Sequence, residues 1–253
     1  MMKGELSGQV ALISGAGRGI GHAISRVLAT RGADIIVQDI DADAVSATVA
    51  EVGRLGRHGY PLCCDVTDIA ALRALARDVE GSVGQIDILV NNAGIPGGEI
   101  PFDQIDEAGY ERMMGIHVKG SFFLTQTVAD GMKQRGSGRI INISSNRGMV
   151  GHSLSSHYSA AKAALLGLTK AWARELAPHG ILVNAVAPGV VNTYMTNRHG
   201  PGPLRAEADL NLLKRWAEPE EIAYAVAFLA SPHAGFITGQ VLSPNGGDPI
   251  VGV

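Results

Sequence analysis

Short runs rich in Val, Ile and Leu recur along the chain, separated by longer stretches with helical spacing. The runs read VALIS at 10–14, DIIVQ at 34–38, YPLCC at 60–64, DILVN at 87–91, GRIINIS at 138–144, ILVNAV at 181–186 and QVLSP at 240–244. Between them the pattern predicts helices near 19–31, 41–55, 68–80, 107–135, 156–178 and 219–230. A strand covered on one face alternates apolar and polar side chains, whereas a strand covered on both faces is apolar throughout. These runs are nearly all of the second kind. Strand and helix in alternation therefore predict an α/β fold, with a doubly wound, mainly parallel seven-stranded sheet and helices on both faces.

With 253 residues, 46% of them hydrophobic, the chain can bury such a core within a single domain spanning 1–253. The segment 192–217 is poorly patterned, and its HGPGP core at 199–203 reads as a mobile loop, placed where a lid over a substrate would lie. A net charge of −3 without any basic block argues against a nucleic-acid partner. No apolar run approaches the roughly 20 residues that span a bilayer. The start, MMKGELSGQV, lacks the apolar centre of a signal peptide. Cys63 and Cys64 are adjacent, so in an extended segment their side chains diverge. Neither a disulfide nor a metal site is expected, and a reducing cytoplasm suits them.

The first run leads straight into SGAGRGIGHAI, with glycines at 15, 17, 19 and 21. A tight strand-to-helix turn without Cβ atoms lets backbone N–H groups approach a pyrophosphate at a helix N-terminus. The spacing, G-x-x-x-G-x-G over Gly15, Gly19 and Gly21, with Arg18 and Ile20 between, predicts dinucleotide binding in this context. Asp39 ends the second run, 18 residues after Gly21, where a carboxylate can accept the adenosine ribose hydroxyls and repel a 2′-phosphate. Ile40 follows it rather than an arginine. NAD is therefore expected over NADP, although Arg18 could face phosphate in either. Asp39 could instead begin the next turn or cap the helix near Asp41.

Ligands gather at the C-terminal ends of strands in such a sheet. Those ends read CDV at 64–66, NNAG at 91–94, ISSN at 143–146 and APGVVNT at 187–193, and SHYSAAKAALLG follows at 156–167. In this order and spacing the motifs resemble the classical short-chain dehydrogenase/reductase family, over nearly the whole chain, and the resemblance implies a Rossmann-like fold. It implies that Tyr158 is a general acid/base, that Lys162 lowers its pKa and binds the nicotinamide ribose, and that Ser145 holds the substrate oxygen, with Ser144 its rival. It further implies that Asp65 and Val66 edge the adenine site and that Asn91, Ala93 and Gly94 line the adenosine ribose side. Pro188, Gly189, Val191 and Thr193 would orient the nicotinamide.

The chemistry fits those residue types. A free tyrosine has a pKa of about 10, so only about one in a thousand is ionised near pH 7. Tyr158 and Lys162 are four apart, on one face of a helix. An ammonium one turn away in a desolvated cleft favours phenolate. The phenolate takes an alcohol proton while hydride leaves carbon; in reverse the phenol protonates the developing alkoxide.

Two positions depart from the family pattern. His117, in GIHVKG at 115–120, stands where relatives carry an Asn that keeps the helix irregular and serves a proton relay. A histidine titrating near neutral pH is expected to substitute there, or else to be a satisfied buried ring. Asn245 stands where Asp is frequent, with only a local turn at stake. His152 and His157 are placed in loops near the site.

The resulting expectation is an oxidoreductase interconverting a small-molecule secondary alcohol and ketone with NAD(H). It would act as a homotetramer, with a dimer as the second arrangement. An NADPH-dependent 3-oxoacyl-thioester reductase and a non-catalytic NAD-binding regulator are the alternatives. The substrate pocket is expected from 146–153 and from about Met195 to Trp216, with Met149, Leu154, Met195, Leu212 and Trp216 as an apolar wall. Arg147 or Arg198 would meet a carboxylate or be solvated.

Overall fold

A computed structural model describes residues 4–197 and 201–250. Arg198 and the first two residues of HGPGP lie outside them. Seven strands form one sheet in the order β3-β2-β1-β4-β5-β6-β7, and every pairing is parallel. The strands are β1 (Val10–Ser14), β2 (Asp34–Asp39), β3 (Gly59–Cys63), β4 (Ile88–Asn91), β5 (Gly138–Ile143), β6 (Ile181–Val186) and β7 (Val241–Leu242).

The continuous apolar runs follow from two-sided burial. Along β1, Ala11 and Ile13 join one core with Ile24, Leu28 and Val226, while Val10 and Leu12 join the other with Leu89, Val128 and Trp172. The first core is covered by α1 (Gly19–Thr30) and α10 (Pro219–Ala230); α2 (Ala42–Arg54) packs beside α1. The second lies under α3 (Ile69–Val83), α5 (Ser121–Arg135) and α7 (Ser156–Leu176). The outer strand β3 departs from this rule. Only Leu62 is fully buried, and Pro61, which has no N–H to give, sits on the free edge. The seventh run shrinks to two residues. Beside it the Gln240 N–H donates to the Asn184 side chain rather than to a strand carbonyl.

Asp41, Asp68 and Asp106 cap α2, α3 and α4 (Glu107–Met114), each accepting a backbone N–H three residues on. The predicted helix 107–135 is broken. Between α4 and α5 the backbone makes a π-helical turn, Gly115–Gly120. Glycines at both ends loosen the helix, and the Ser121 hydroxyl donates to the His117 carbonyl at 2.8 Å, competing with the regular ladder. Three short helices went unpredicted: α6 (Asn146–Val150), α8 (Tyr194–Asn197) and α9 (Pro201–Ala208). The last two fold the stretch read as a loop, and a bridge from Val191 to Ala217 closes its base. Among the described residues no helix is long and apolar enough to cross a membrane.

Candidate active site

The strand order turns back between β1 and β4, and there a cleft of about 1430 Å³ opens above the strand ends. Single small-molecule pockets run to about 1000 Å³, so this one has room for a dinucleotide and a second ligand.

At the glycine turn the main chain is drawn in tightly. Gly15 adopts φ +65°, and a Cβ on it would lie 2.8 Å from Ala93 Cα. A Cβ on Gly21 would lie 2.1 Å from the Gly15 carbonyl oxygen. Gly21 thus seats α1 against the turn, and it does not line the cleft; Gly15, Gly19 and Ile20 do. Asn92 pins the turn, donating to the carbonyls of Ser14 and Gly15 at 2.9 and 3.0 Å. Gln38 ties it to the end of β3 through the Cys64 carbonyl at 2.7 Å.

Asp39 points into the cleft. One carboxylate oxygen accepts the Gly17 N–H at 2.9 Å and the other the Asp41 N–H at 3.2 Å. The helix cap is Asp41, not Asp39. A carboxylate offers about four acceptor positions, so Asp39 keeps capacity for two ribose hydroxyls. Ile40 beside it is 67% exposed. Arg18 pairs with Asp41 and lies 6.0 Å from the Tyr194 ring centre. No acidic side chain occupies the first turn of α1, so its N-terminus presents amides to an anion. These features fit a nicotinamide dinucleotide.

Asp65, Val66, Ala93 and Gly94 line the cleft, as do Pro188, Gly189, Val191 and Thr193. The Asn146 N–H donates to Pro188 at 2.9 Å and fixes that last segment. Asn91 does not reach the cleft. Its side chain is buried, donating to Thr125 Oγ1 and Asn142 Oδ1, both at 2.8 Å. Asn92 takes the place expected of it, because successive strand residues face opposite ways.

At the inner end, Tyr158, Lys162, Ser145 and His117 converge. The two serines point to different partners. Ser144 donates to the Lys162 carbonyl at 2.7 Å, whereas Ser145 caps α6 and lies beside the phenol. Lys162 is buried and donates from Nζ to the Ile143 carbonyl at 2.8 Å, with its ammonium 5.7 Å from the Tyr158 ring centre. Burial pulls its pKa from 10.5 down to about 7. Tyr158 goes the other way. Burial raises its phenol, while the Ser145 hydrogen bond and the Arg147 charge oppose the rise. Without a bound ligand, desolvation of the phenolate is the largest influence on the phenol.

His117 is buried within the π turn, its ring edge-on to Tyr158 at 5.5 Å and 87°. Its Nε2 lies 3.0 Å from both the N–H and the carbonyl of Ile95, accepting from the one or donating to the other according to tautomer, while Nδ1 has no hydrogen-bond partner among the described residues. Burial first, then the Lys162 charge, holds it well below the usual histidine pKa. On that direction the ring is neutral at pH 7. Gly97, unremarked in the sequence, packs against Tyr158: a Cβ there would come within 2.7 Å of the tyrosine Cβ.

The remaining expectations divide. His157 is not in a loop but buried at the start of α7, while His152 is exposed and its Nδ1 meets the Ser155 hydroxyl at 3.2 Å. Asn245 makes a local turn, accepting from the Gly247 N–H at 2.9 Å. The apolar wall is only partly where predicted. Met195 and Leu204 line the cleft, whereas Met149, Leu154, Leu212 and Trp216 do not. Trp216 donates to Glu218 at 3.0 Å instead. Arg147 reaches the cleft and pairs there with Glu207 of α9.

The chain was compared with known proteins. Residues 15–248 match a family described as enoyl-(acyl carrier protein) reductase, of the short-chain dehydrogenase type. The chain is 38% identical over 243 residues to the 3-oxoacyl-[acyl-carrier-protein] reductase FabG of Vibrio harveyi, covering 96% of this chain and 98% of that one. A 7α-hydroxysteroid dehydrogenase solved with NADH and 7-oxo glycochenodeoxycholic acid superposes with TM-score 0.91 at 37% identity, over 96% of this chain and 94% of that one. A xylitol dehydrogenase solved with NAD+ gives TM-score 0.92 at 31% identity, over 96% and 99%.

Proposed function

The chain belongs to the short-chain dehydrogenase/reductase family of oxidoreductases, and from that premise we propose that it interconverts a secondary alcohol and a ketone with NAD(H). The observation that carries this reading is one cleft with the Asp39 carboxylate at one end and the Ser145, Tyr158 and Lys162 side chains at the other. The cofactor supplies the hydride acceptor and donor. Tyr158 Oη, its phenolate favoured by the Ser145 hydrogen bond and the Arg147 charge against the cost of burial, accepts the alcohol's hydroxyl proton as the carbinol C–H bond breaks, and returns it to the ketone oxygen in reverse. Ser145 donates a hydrogen bond to that oxygen. Lys162 can hold or release a proton at neutral pH, and its ammonium serves the nicotinamide ribose. Segment 192–217, carrying Met195 and Leu204, closes the substrate side. The proposed assembly is a cytoplasmic homotetramer, with the dimer second. Tyr110 on α4 and Phe122 on α5, both partly exposed, suit pairing of those helices.

A second reading, an NADPH-dependent 3-oxoacyl-thioester reductase, is favoured by the names of the FabG relatives. Asp39 opposes it, since a carboxylate repels a 2′-phosphate. The test is cofactor reduction by a panel of secondary alcohols with NAD and NADP supplied separately, beside 3-oxoacyl thioester reduction with NADH and NADPH. The expected result is turnover with NAD. Preference for NADPH and thioester would establish the second reading. Tight NAD binding without turnover on either panel would favour a regulator. Asp39→Asn keeps an acceptor for the Gly17 amide but loses the charge. It is expected to lower kcat/KM with NAD about tenfold, a loss of about 1.4 kcal/mol, and to raise that with NADP.

His117 enters this reading as a positioning residue that holds Ile95 and backs the Tyr158 ring. His117→Asn shortens that support. Turnover is expected to fall by no more than about tenfold, the size of a positioning effect rather than loss of the acid/base. The kcat–pH profile is expected to keep its midpoints, because a ring held neutral contributes no titration. A shifted midpoint would restore the proton-relay role.

A further inference from the structure

One charge at the substrate end of the cleft is not used by the proton transfer. Arg147 lies two residues beyond Ser145 on α6, and its backbone N–H donates to the Ser145 hydroxyl at 3.2 Å. Its guanidinium meets Glu207 of α9, Nη2 to Oε1, at 2.8 Å. That contact joins one nitrogen to one oxygen, although guanidinium and carboxylate can match two-pronged. The two partners are unequally held. The Arg147 side chain is 23% exposed, the Glu207 side chain 45%. Both charges act on Tyr158, Arg147 favouring the ionised phenol and Glu207 opposing it. An anion resting on Arg147 is therefore within charge range of the reacting oxygen.

We propose that Arg147 recognises a carboxylate on the substrate, and that Glu207 is an internal stand-in which that carboxylate displaces. The substrate class is then a free hydroxy acid and its oxo acid, not a neutral alcohol or a thioester. The proposal rests on the alcohol–ketone reading of the same site. A guanidinium does not lose its proton, so a mostly buried one needs a counter-charge in every state. A neutral substrate that pushed Glu207 aside would strand it. A carboxylate exchanged for a carboxylate keeps Arg147 paired throughout. Glu207 is the half that can leave, since nearly half of it already meets water and a surface ion pair is worth little. Arg147 stays, because its backbone N–H is anchored to the Ser145 hydroxyl two residues before it. If the pair only tied α9 to α6, charged and neutral substrates would be treated alike.

Calorimetric titration of the full chain, with NAD and separately with NADP present, would compare 3-hydroxy acids of four to eight carbons with their methyl esters. At least one acid is expected to bind ten times tighter than its ester. Arg147→Gln is expected to abolish that difference with ester binding intact, and Glu207→Gln to tighten the acid at least threefold. Equal binding of acids and esters, or an Arg147→Gln variant weakening both alike, would overturn the proposal. Acids that bind in this way but reduce no cofactor would overturn the alcohol–ketone reading and leave Arg147's role standing. Esters and neutral alcohols turned over while acids bind no better would overturn Arg147's role alone.

Discussion

Replacing Tyr158 by Phe will lower turnover about a thousandfold or more and leave cofactor affinity within about twofold, since a positioned proton donor contributes about 10²–10⁴. The ring's surroundings are indifferent to the change. His117 meets the ring itself, at 5.5 Å between centres, and Gly97 packs against Cβ and Cγ. What is lost is the oxygen. Its removal forfeits one hydrogen bond, with Ser145, worth about 1 kcal/mol, too little to disturb the fold of the cleft. Steady-state rates, with cofactor binding followed by fluorescence titration, separate the two effects. A fall in turnover of less than tenfold would move the proton chemistry away from Tyr158. An equal loss in cofactor affinity would make the tyrosine a structural residue of the cleft.

Most of the sheet was legible because a fully buried parallel strand leaves little choice. From β1 to β6 the predicted runs and the observed strands differ by no more than a residue at either end. The run at 240–244 was overextended for a physical reason: side-chain acceptors such as Asn184 Oδ1 take the backbone donors that a longer strand would need. The break in the long central helix left only a faint trace, Gly115 and Gly120 flanking one turn and Ser121 after it. Helical propensity sums over many residues and misses a single displaced hydrogen bond.

The site was legible where residues lie on regular elements. The i,i+4 spacing put Tyr158 and Lys162 together on α7. Where phase or loop direction decides, spacing was silent. Asn91 and Asn92 differ by one position, and only the strand's registry tells which faces the cleft. Leu212 and Trp216 lie on irregular backbone, whose side-chain directions follow no period. The direction of the Tyr158 shift was not legible for another reason. Charges can be counted in a sequence, but burial cannot, and here burial is the larger effect.

Lys162→Met will raise the stability of the folded chain near pH 7 by a few kcal/mol while removing activity. Lys162 is only 4% exposed and its hydrogen-bond acceptor is a neutral carbonyl. Unfolded, it holds its proton up to pH 10.5; folded, only up to about 7. Between those values the unfolded state binds more protons, so this lysine's contribution makes stability rise with pH across that window. The shift amounts to on the order of 5 kcal/mol carried against folding at neutral pH. Methionine has similar length and no charge, and forfeits one hydrogen bond to Ile143 worth about 1 kcal/mol. The advantage of the variant should shrink to about half between pH 7 and pH 9, as the native protein recovers its own stability there. Above pH 9 both proteins lose stability alike, because burial raises the Cys64 thiol from 9.0 to about 11 and also raises Tyr158. Each of those groups makes stability fall as pH rises past its unfolded value. Denaturant unfolding of both proteins at pH 7, 8 and 9 measures the effect. A variant less stable than the parent, or a gap independent of pH, would mean that Lys162 keeps its charge paired in the fold. A shrinking gap would show that the chain retains at its proton-transfer centre a charge that stability alone would discard.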